Sequence, residues 1–534
     1  MFLIMSAEYI TQELRSEFGA LPPSFLPLGN RRLFFHQKQL VSSDDEIFIT
    51  LPESFSVPHY DRDWLVKNNV ELLSLPDGLG LGASLVAALN LIDSGVKGPL
   101  HVLFGDTLID PLPEGEDLVA IANVEDNYDW AVVTDSDDQW LIHSNEALLY
   151  PAQEVVSGYF RFSAPWQLIR CITKSNWDFY SGLNLYRRSV GLNTVKVRNW
   201  LDFGHANTYY HSKSEYTTQR SFNDLMINGE WVEKSGNFSK KIEAEASWFE
   251  NIPPILKRYT PQYLGRSKKE GKSSYRLEYL HHTALNELFV FSSVPSVVWK
   301  KIIDECLRFI TTCSSHKPSS ESEPVACLSS LFREKTKARL QDFITDNHIS
   351  TSRRFRFLTS PEAIARKFSV DDLLSISEAH LPKNEIEPTL VHGDFCFSNI
   401  LYEYRTNRIK VIDPRGLTSN GLPSIYGDYR YDIAKLSHSV LGLYDWIVAG
   451  YCKASLDEDV ITLNIPIPNS LPQTQKLFVD MVTERFGLTE MELYAMQVQL
   501  FLSMLPLHKD NRTRQFSLFA NAFRLCSIME GMDK

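Results

Sequence analysis

The sequence of 534 residues predicts two domains, an α/β domain with a mostly parallel sheet followed by an α+β domain. Short apolar segments alternate with helical segments as far as Tyr216, which is typical of βα units. The composition then becomes polar over Thr217–Glu230, and we place the boundary between domains 1–220 and 221–534 there. Beyond it, two short apolar runs end in carboxylates, and long helices rich in Leu, Phe and Met follow.

The strands of the first domain bring one acidic residue to the edge of the predicted sheet. The expected elements are strands at Phe2–Met5, Glu46–Leu51, Glu71–Ser74 and Pro99–Phe104, helices within 6–19 and 22–41, a Gly-rich turn at Asp77–Gly82 and a helix at Ala83–Ile92. The last of these strands runs directly into Gly105 and Asp106. Sites of parallel sheets lie at the carboxyl ends of the strands, so Asp106 is a candidate site residue.

The second domain contains a compound motif within Leu390–Gly416. An apolar run leads into H-G-D, Asn399 follows five residues after Asp394, and a second apolar run ends in Asp413. Phosphoryl transfer from a nucleotide needs one carboxylate to orient the attacking hydroxyl, and an Asn and an Asp to hold Mg²⁺ on the phosphates. Asp and Asn are also common turn residues, but the joint spacing favours a phosphotransferase site.

This motif resembles that of the aminoglycoside phosphotransferase and choline kinase group, whose fold is like that of eukaryotic protein kinases. The resemblance implies that Asp394 is the catalytic base and that Asn399 and Asp413 bind Mg²⁺. It implies that His392 braces the loop. It also implies ATP as the phosphoryl donor, with a small lobe at about 221–290 and a large lobe at about 291–534.

A kinase small lobe needs a strand lysine for the nucleotide phosphates and a helix glutamate to hold that lysine. A strand over Glu230–Lys234 and a helix over Lys240–Phe249 make Lys234 and Glu245 the candidates, with Glu243 as a second choice for the glutamate. Lys234 is equally a residue type that is often simply exposed. By resemblance, the backbone from Glu278 to Leu280 forms the hinge that contacts adenine.

Five segments of the first domain resemble sugar-nucleotide nucleotidyltransferases, over roughly residues 1–215. They are L-P-L-G-N-R-R-L-F-F-H-Q (Leu26–Gln37), L-G-L-G-A-S-L (Leu79–Leu85), V-L-F-G-D (Val102–Asp106), S-G-Y-F (Ser157–Phe160) and W-L-D-F-G (Trp200–Gly204). The resemblance implies that Gly80 and Gly82 lie against the nucleobase and sugar, whereas by its residues alone Asp77–Gly82 is equally an ordinary turn before a helix. It also implies that Asp106 and Asp202 share Mg²⁺, which would neutralise the triphosphate.

The first domain departs from that family directly after its first strand. The family has a Gly-rich loop there that cradles the triphosphate, whereas this chain has no glycine between Ser6 and Gly19. Arg15, Arg31 and Arg32 are the residues that could supply positive charge instead. The phosphate grip is either rebuilt or lost, and in the second case the two aspartates are loop carboxylates in an inactive fold.

The remaining features of the second half are expected to be structural or are left open. Asp428 and Asp432 lie on the substrate side, or else they cap a helix or pair with an arginine. His438 and His508 are interpreted as structural histidines. The further predicted elements are a surface loop at Ser314–Pro324 and helices at Leu328–Asn347, Val370–Glu378, Leu436–Tyr451 and Met491–Leu505.

Composition excludes several classes of protein. Hydrophobic residues make up 43% of the chain and charged residues 22%, as in ordinary globular proteins. The net charge of −12 argues against general nucleic-acid binding, although it allows local basic pockets for phosphates. Seven scattered cysteines and the lack of a signal-like or membrane-spanning segment favour a cytoplasmic protein. The two resemblances imply small-molecule substrates. A homo-oligomer stays open.

Together the two resemblances imply a bifunctional enzyme. One site would phosphorylate a sugar, polyol or amino alcohol with ATP, and the other would convert a phosphate monoester into an NDP-linked donor for a surface polysaccharide such as a capsule. CTP is the first choice for the second nucleotide. The alternatives are an active kinase with a degenerate nucleotidyltransferase-like binding domain, and, less favoured, an active transferase with a regulatory pseudokinase.

Overall fold

A computed structural model of the chain describes residues 1–93, 95–123, 130–134, 136, 139–143, 154–220, 224–237, 240–269, 271–320, 324–325, 327–358 and 367–532. The chain forms two compact units, Met1–Gln219 and Arg220–Lys534. Within those ranges, no helix has both the length and the apolar composition needed to cross a membrane.

The first unit is built on a mixed sheet. Its main path runs in the order Leu141–His143, Ala131–Val133, Glu154–Phe162, Leu100–Phe104, Phe2–Met5, Ile47–Pro52, Val70–Leu75. Leu118–Asn123 pairs with Glu154–Phe162 and with Asn193–Lys196, and Thr107–Ile109 pairs with Trp200–Asp202 outside this sheet. The four strands from Leu100–Phe104 to Val70–Leu75 are parallel, as predicted.

The rest of the sheet corrects the prediction of a mostly parallel arrangement. Glu154–Phe162 runs antiparallel to Leu100–Phe104, and it also pairs antiparallel with Leu118–Asn123 and Ala131–Val133. The central strand Phe2–Met5 is buried along its whole length, because helices cover both faces of a parallel sheet. The helices of this unit are Gln12–Phe18, Leu33–Gln39, His59–Lys67, Leu81–Leu91, Pro165–Lys174, Phe179–Ser189 and Ala206–Arg220, with a short hairpin of Pro27–Leu28 and Arg31–Arg32.

The second unit begins with a four-stranded antiparallel sheet. Its order is Asp224–Ile227, Trp231–Asn237, Lys272–Glu278, Tyr263–Lys269. The helix Lys240–Asn251 packs on this sheet through an apolar face that includes Ala244, Trp248 and Phe249. The predicted strand with Lys234 and the predicted helix with Glu245 are both confirmed.

Small sheets and long helices form the remainder of the second unit. The strands pair as Thr283–Ala284 with Ile400–Glu403 and Arg408–Val411, as Thr389–Leu390 with Tyr426–Gly427, and as Lys367–Phe368, Phe355–Leu358, Val460–Asn464 and Lys453–Asp457. The helices are Leu285–Phe291, Ser296–Ser314, a π-turn at Ser330–Glu334 that continues as Lys335–Asn347, Val370–Ala379, Arg430–Val440, Tyr444–Val448, Leu471–Phe486, Glu490–Met504 and Arg512–Met532. Short 3-10 turns occur at Pro23–Phe25, Pro254–Tyr259, Phe397–Asn399 and Leu505–His508.

One predicted helix is divided into two in the structure. In place of a single helix at Leu436–Tyr451, the chain forms Arg430–Val440 and Tyr444–Val448. Leu443 has a φ of 58°, which no α-helix contains, and the chain turns there. The predicted loop Ser314–Pro324 lies partly outside the described residues.

Candidate active sites

A buried histidine and a buried aspartate fix the H-G-D segment of the second unit. His392 is fully buried, and its Nε2 donates to the carbonyl oxygen of Ile412 at 3.0 Å. Asp432 accepts the backbone N–H groups of His392 and Gly393, each at 2.7 Å. Both oxygens of Asp432 thus hold the loop, which favours the structural alternative for this residue over a position on the substrate side. Asp428 pairs instead with Arg430, at 2.9 Å between Oδ1 and Nε.

The predicted base, Asp394, is held in the ionised form. Its Oδ1 atom lies 2.7 Å from Nζ of Lys435. Asn399 donates through Nδ2 to the backbone carbonyl of Asp394 at 2.9 Å and to its Oδ2 at 3.3 Å. Burial raises the pKa of Asp394, but attraction to Lys435 and Arg415 outweighs it, and the pKa lies well below the usual range. A carboxylate in this state accepts hydrogen bonds at any physiological pH.

Lys234 joins the two carboxylates that the sequence assigns to nucleotide and metal binding. Its Nζ atom lies 2.8 Å from Oε2 of Glu245 and 3.0 Å from Oδ1 of Asp413. Glu245 also accepts the hydroxyl of Tyr275 at 2.8 Å, and Tyr275 is the cross-strand neighbour of Lys234. Burial lowers the pKa of Lys234, but Asp413 and Glu245 raise it above the usual value, so the ammonium stays charged.

A backbone hydrogen bond joins the two segments that carry Asn399 and Asp413. Ile412 donates its N–H to the carbonyl of Asn399 at 3.0 Å, which sets Asp413 one residue beyond this bond. Asp413 has a φ of 56°, an uncommon conformation for a residue other than glycine. Carboxylate and carboxamide oxygens are suitable ligands for Mg²⁺, which usually retains waters and phosphate oxygens as its other ligands. The donor set therefore fits the metal that the sequence predicts.

These groups border one cavity of about 340 Å³. Its lining residues are Lys241, Lys335, Arg339, Asp394, Asn399, Asp413, Pro414, Arg415, Tyr431, Lys435, His438, Leu500, Ser503, Met504 and Leu507. Glu278 and Leu280, predicted for the hinge, do not line it. Glu278 exchanges hydrogen bonds with the backbone of Gln262, and the carbonyl of Leu280 accepts the N–H of His282 at 2.9 Å.

In the first unit, the two predicted metal-binding aspartates lie together. Asp202 ends a strand that pairs with Thr107, the residue after Asp106. A Cβ atom built on Gly204 would lie 2.8 Å from Oδ2 of Asp106 and 3.5 Å from Oδ1 of Asp202, so both carboxylates border the same point. Burial raises the pKa of Asp106, and the neighbouring His205 opposes this effect. Two such carboxylates fit a divalent cation whose other ligands come from phosphates and water.

Within the described ranges, no group of three or more His, Cys, Asp or Glu side chains is arranged to hold a metal ion. A metal at either site would therefore depend on the nucleotide for part of its coordination, as is usual for Mg²⁺.

The turn that carries Asp106 is held by a residue that the sequence did not single out as a support. Gln37 donates through Nε2 to the carbonyls of Phe104, Gly105 and Thr107, at 3.2, 3.0 and 2.9 Å. Gln37 ends the L-P-L-G segment quoted above, but no spacing rule connects it with Asp106. Only the fold brings them together.

The residues predicted to bind the nucleotide in the first unit have other partners. Arg15 donates through Nε to the carbonyl of Ile10 at 2.8 Å. Gly82 lies in a helix, where an added Cβ would come within 2.3 Å of the carbonyl oxygen of Trp177, so helix packing explains the glycine. Gly80 is the residue before that helix and has open space around it.

The segment after the first strand bonds to its own unit. Ser6 donates its N–H to the hydroxyl of Thr50 at 2.9 Å, and its hydroxyl receives hydrogen bonds from the N–H and the hydroxyl of Ser24 at 3.0 and 2.8 Å. Arg32 is buried and pairs with Asp61 at 3.2 Å, which neutralises its charge. These groups do not form a loop of free backbone amides of the kind that binds a triphosphate.

No family model matches the chain, and no curated protein matches it. Among solved structures, the inositol-1-phosphate CTP transferase from T. maritima aligns at 13% identity and a TM-score of 0.32, over 40% of this chain and 95% of that chain. An aminoglycoside-3'-phosphotransferase of type VIII aligns at 13% identity and a TM-score of 0.30, over 51% of this chain and 86% of that chain. A spectinomycin phosphotransferase aligns at 11% identity and a TM-score of 0.27, over 59% of this chain and 97% of that chain.

Proposed function

We propose that the chain is a bifunctional transferase, with an ATP-dependent phosphotransferase in the second unit and a nucleotidyltransferase in the first. The observation that carries the phosphotransferase activity is the contact of Lys234 with both Glu245 and Asp413. This contact lies beside the cavity that Asp394 and Asn399 border. Two carboxylates, a carboxamide and a paired lysine in this arrangement form the set that phosphoryl transfer uses.

Each side chain of the second unit has a defined task in that reaction. Lys234 holds the nucleotide phosphates, and Glu245 fixes its ammonium group. Asn399 and Asp413 would hold Mg²⁺, which neutralises charge on the phosphates when it is bound. Asp394, ionised and oriented by Lys435 and Asn399, accepts the hydrogen bond of the attacking hydroxyl and aligns its oxygen with the γ-phosphorus.

In the first unit, Asp106 and Asp202 would hold Mg²⁺ at the α-phosphate of a second nucleotide. A phosphate oxygen of a phosphate monoester attacks the α-phosphorus, the bond to the β-phosphate oxygen breaks, and pyrophosphate leaves. CTP is the first nucleotide to test. The product, an NDP-linked sugar or polyol, would serve as a donor for surface polysaccharide synthesis.

The test uses the full chain and two variants that remove one carboxylate each. ADP formation should require a hydroxyl acceptor and be lost in Asp394→Asn, whereas pyrophosphate release from CTP with phosphate monoesters should be lost in Asp106→Asn. Each variant serves as the folding control of the other, because it should retain the activity that it does not touch. Loss of both activities in either single variant would contradict two independent sites.

One observation favours a second candidate function, in which the first unit only binds an NDP-linked compound or a partner enzyme. Ser6, which stands where a phosphate-binding loop would begin, is saturated by Thr50 and Ser24. In that case no nucleoside triphosphate would release pyrophosphate, and ADP formation would be unchanged in Asp106→Asn. Screening ATP, CTP, UTP, GTP and TTP with Mg²⁺ separates the two functions.

A further inference from the structure

Two cations lie beside one tyrosine hydroxyl at the cavity of the second unit, and a third, Arg339, lines the same cavity. Arg415 donates through Nη2 to the hydroxyl oxygen of Tyr431 at 3.0 Å, and Nζ of Lys335 lies 3.4 Å from the same atom. Arg339 donates through Nη1 to the carbonyl of Ser503 at 3.4 Å. Among the residues that the structure describes, none of the three cations forms an ion pair with a carboxylate. Partly buried Lys and Arg side chains ordinarily have such partners.

The guanidinium group of Arg415 and the ammonium group of Lys335 also lie over the ring of Tyr431, at 4.7 and 5.7 Å from its centroid, but these contacts supply no formal negative charge. Lys335 and Arg339 are four residues apart on one helix, where like charges repel each other and weaken the helix. A π-turn at Ser330–Glu334 immediately precedes Lys335, and such turns are frequent at functional sites. The arrangement is unfavourable for the empty protein, as is expected when a ligand supplies the missing negative charge.

The side chains that line the cavity carry a net positive charge. Five cationic side chains line it, Lys241, Lys335, Arg339, Arg415 and Lys435, against the carboxylates of Asp394 and Asp413. The whole chain, by contrast, carries a net charge of −12. A nucleotide with its Mg²⁺ ions brings little net charge, so the excess of positive charge persists when the donor is bound.

The pKa values of Lys335 and Tyr431 are consistent with this excess of positive charge. Burial lowers the pKa of Lys335 to about 8, and repulsion from Arg415 and Arg339 adds to this effect. Burial raises the pKa of Tyr431, but attraction to Arg415 and Lys335 outweighs burial and lowers it to about 7. The environment thus favours negative charge at the Tyr431 hydroxyl.

A fourth polar group borders the cavity without a partner. His438 is 1% exposed, and its Nε2 atom has no hydrogen bond to any residue in the described ranges. Its Nδ1 atom lies 3.3 Å from Oε1 of Gln497. Because Nδ1 faces an acceptor oxygen, Nε2 is the acceptor nitrogen of this imidazole, and it fits a donor such as a ligand hydroxyl or a water. Its predicted role as a purely structural histidine leaves this atom unexplained.

From this geometry we infer that the acceptor of the phosphotransferase already carries an anionic group, a phosphate monoester or a carboxylate, which Lys335, Arg339 and Arg415 bind. This inference rests on the proposed phosphotransferase function. In the reaction, a free hydroxyl oxygen of the acceptor forms a bond to the γ-phosphorus of ATP, and the bond from that phosphorus to the β,γ-bridging oxygen breaks. ADP leaves with the electron pair, and the hydroxyl proton passes to Asp394 and then to solvent.

Different segments of the unit supply the cation at the predicted metal ligand and two of the cations that bind the anion. Lys234, paired with Asp413, is the cation at the predicted metal ligand, whereas Lys335 and Arg339 belong to a helix of the other part of the unit. Arginine binds phosphate and carboxylate in a planar, bidentate manner, which makes two guanidinium groups and an ammonium well suited to a dianion.

The first measurement is calorimetric binding to the full chain saturated with Mg²⁺ and AMP-PNP. Inorganic phosphate and acetate are the probes, and they distinguish a phosphate site from a carboxylate site. Lys335→Met should weaken the preferred anion by roughly tenfold or more, as loss of a charge-assisted hydrogen bond does. Lys337→Met is the matched control, because Lys337 is exposed on the same helix and pairs with Glu378 at 2.9 Å. Equal affinity in the wild type and in Lys335→Met would overturn the inference.

The second measurement is ADP formation with glucose 6-phosphate, gluconate and sorbitol as acceptors. We expect kcat/KM for an anionic acceptor to exceed that for sorbitol, and the KM of that acceptor, but not of ATP, to rise in Lys335→Met. Preference for sorbitol, or a raised KM for ATP alone, would contradict an anionic acceptor. If no acceptor is phosphorylated and ATP hydrolysis does not depend on Asp394, the proposed function fails. The binding measurement still decides whether the cations hold an anion.

Discussion

Gly416 lies directly against the backbone carbonyl of Ala244, so closely that a Cβ atom on Gly416 would come within 2.3 Å of that oxygen. Ala244 precedes Glu245 in the helix Lys240–Asn251, and Gly416 lies three residues after Asp413. The segment that carries the predicted metal ligand thus sets the position of the helix that carries the partner of Lys234.

Gly416→Ala should therefore impair ATP use by the full chain. The added methyl group must displace the helix. A misplacement of about 1 Å costs on the order of 100-fold in rate. We expect a fall in kcat/KM for ATP, measured as ADP formation, with pyrophosphate release unchanged. Gly421→Ala is the matched control, because Gly421 has a similar φ of 75° but no atom within 4 Å of its Cβ position. Equal losses in both variants would assign the effect to backbone strain alone.

Lys435→Met should introduce an acid limb into the pH profile of phosphoryl transfer. In the wild type, attraction to Lys435 is the largest effect that opposes burial and keeps the pKa of Asp394 well below its usual value. Activity that needs the ionised carboxylate is then lost only below that pKa. Without Lys435, burial raises the pKa, and the loss begins at a higher pH. The measurement is kcat/KM between about pH 5 and 9.

Lys435→Arg serves as the control for this prediction, since it retains the positive charge. It should keep the wild-type profile on the acid side, whatever its effect on the rate. An unchanged acid side in Lys435→Met would mean that Asp394 is not held ionised by this contact.

An anionic acceptor should be used less efficiently above a pH of about 8. Lys335, whose pKa lies at about 8, binds the anion when protonated and loses its charge as the pH rises through that value. Because kcat/KM reports the free enzyme, it should fall there, while kcat at saturating acceptor should fall later. Lys335→Arg keeps the charge at higher pH and should shift the fall upward. A fall at the same pH in that variant would point to another group.

The sequence predicted the parts of the second site that belong to contiguous motifs. Asp394, Asn399 and Asp413 lie within 20 residues of one another at fixed spacings, and the strand of Lys234 follows from its apolar pattern. The cluster of Lys335, Arg339, Arg415 and Tyr431 has no such signature. Three separate segments contribute to it, and no sequence spacing connects them.

The parts of the fold that sequence reasoning missed depend on tertiary structure. The parallel core strands were predicted, but the direction of Glu154–Phe162 is set by pairing with distant strands. The break at Leu443 was missed, because leucine gives no signal for a positive φ. Gly82 was assigned to nucleotide binding, although its contact with Trp177 arises from the packing of one helix on the turn before another.

Gly82→Ala should destabilise the first unit. The methyl group would come within 2.3 Å of the Trp177 carbonyl and 3.0 Å of the Ile172 side chain, and overpacking of this kind costs about 1–3 kcal/mol. In thermal unfolding of the full chain, the transition of the first unit should occur at a lower temperature. Gly80→Ala is the comparison, because no atom lies within 4 Å of its Cβ position. A larger loss in Gly80→Ala, or a loss of nucleotide binding without loss of stability in Gly82→Ala, would return Gly82 to the predicted nucleotide site.

Asp432→Asn should lower the rate of phosphoryl transfer although Asp432 is not among the residues that line the cavity. Its two oxygens each accept one backbone N–H, from His392 and Gly393. An asparagine offers only one oxygen, so one buried N–H would face an amide group, at a cost of about 1–3 kcal/mol. The loop that carries Asp394 would shift, and we expect kcat for ADP formation to fall roughly 100-fold.

Asp428→Asn is the matched control. Asp428 is also buried and is bonded to Arg430, so its loss should reduce stability and leave kcat nearly unchanged. Similar kcat values for the two variants would show that the backbone bonds of Asp432 do not position the base.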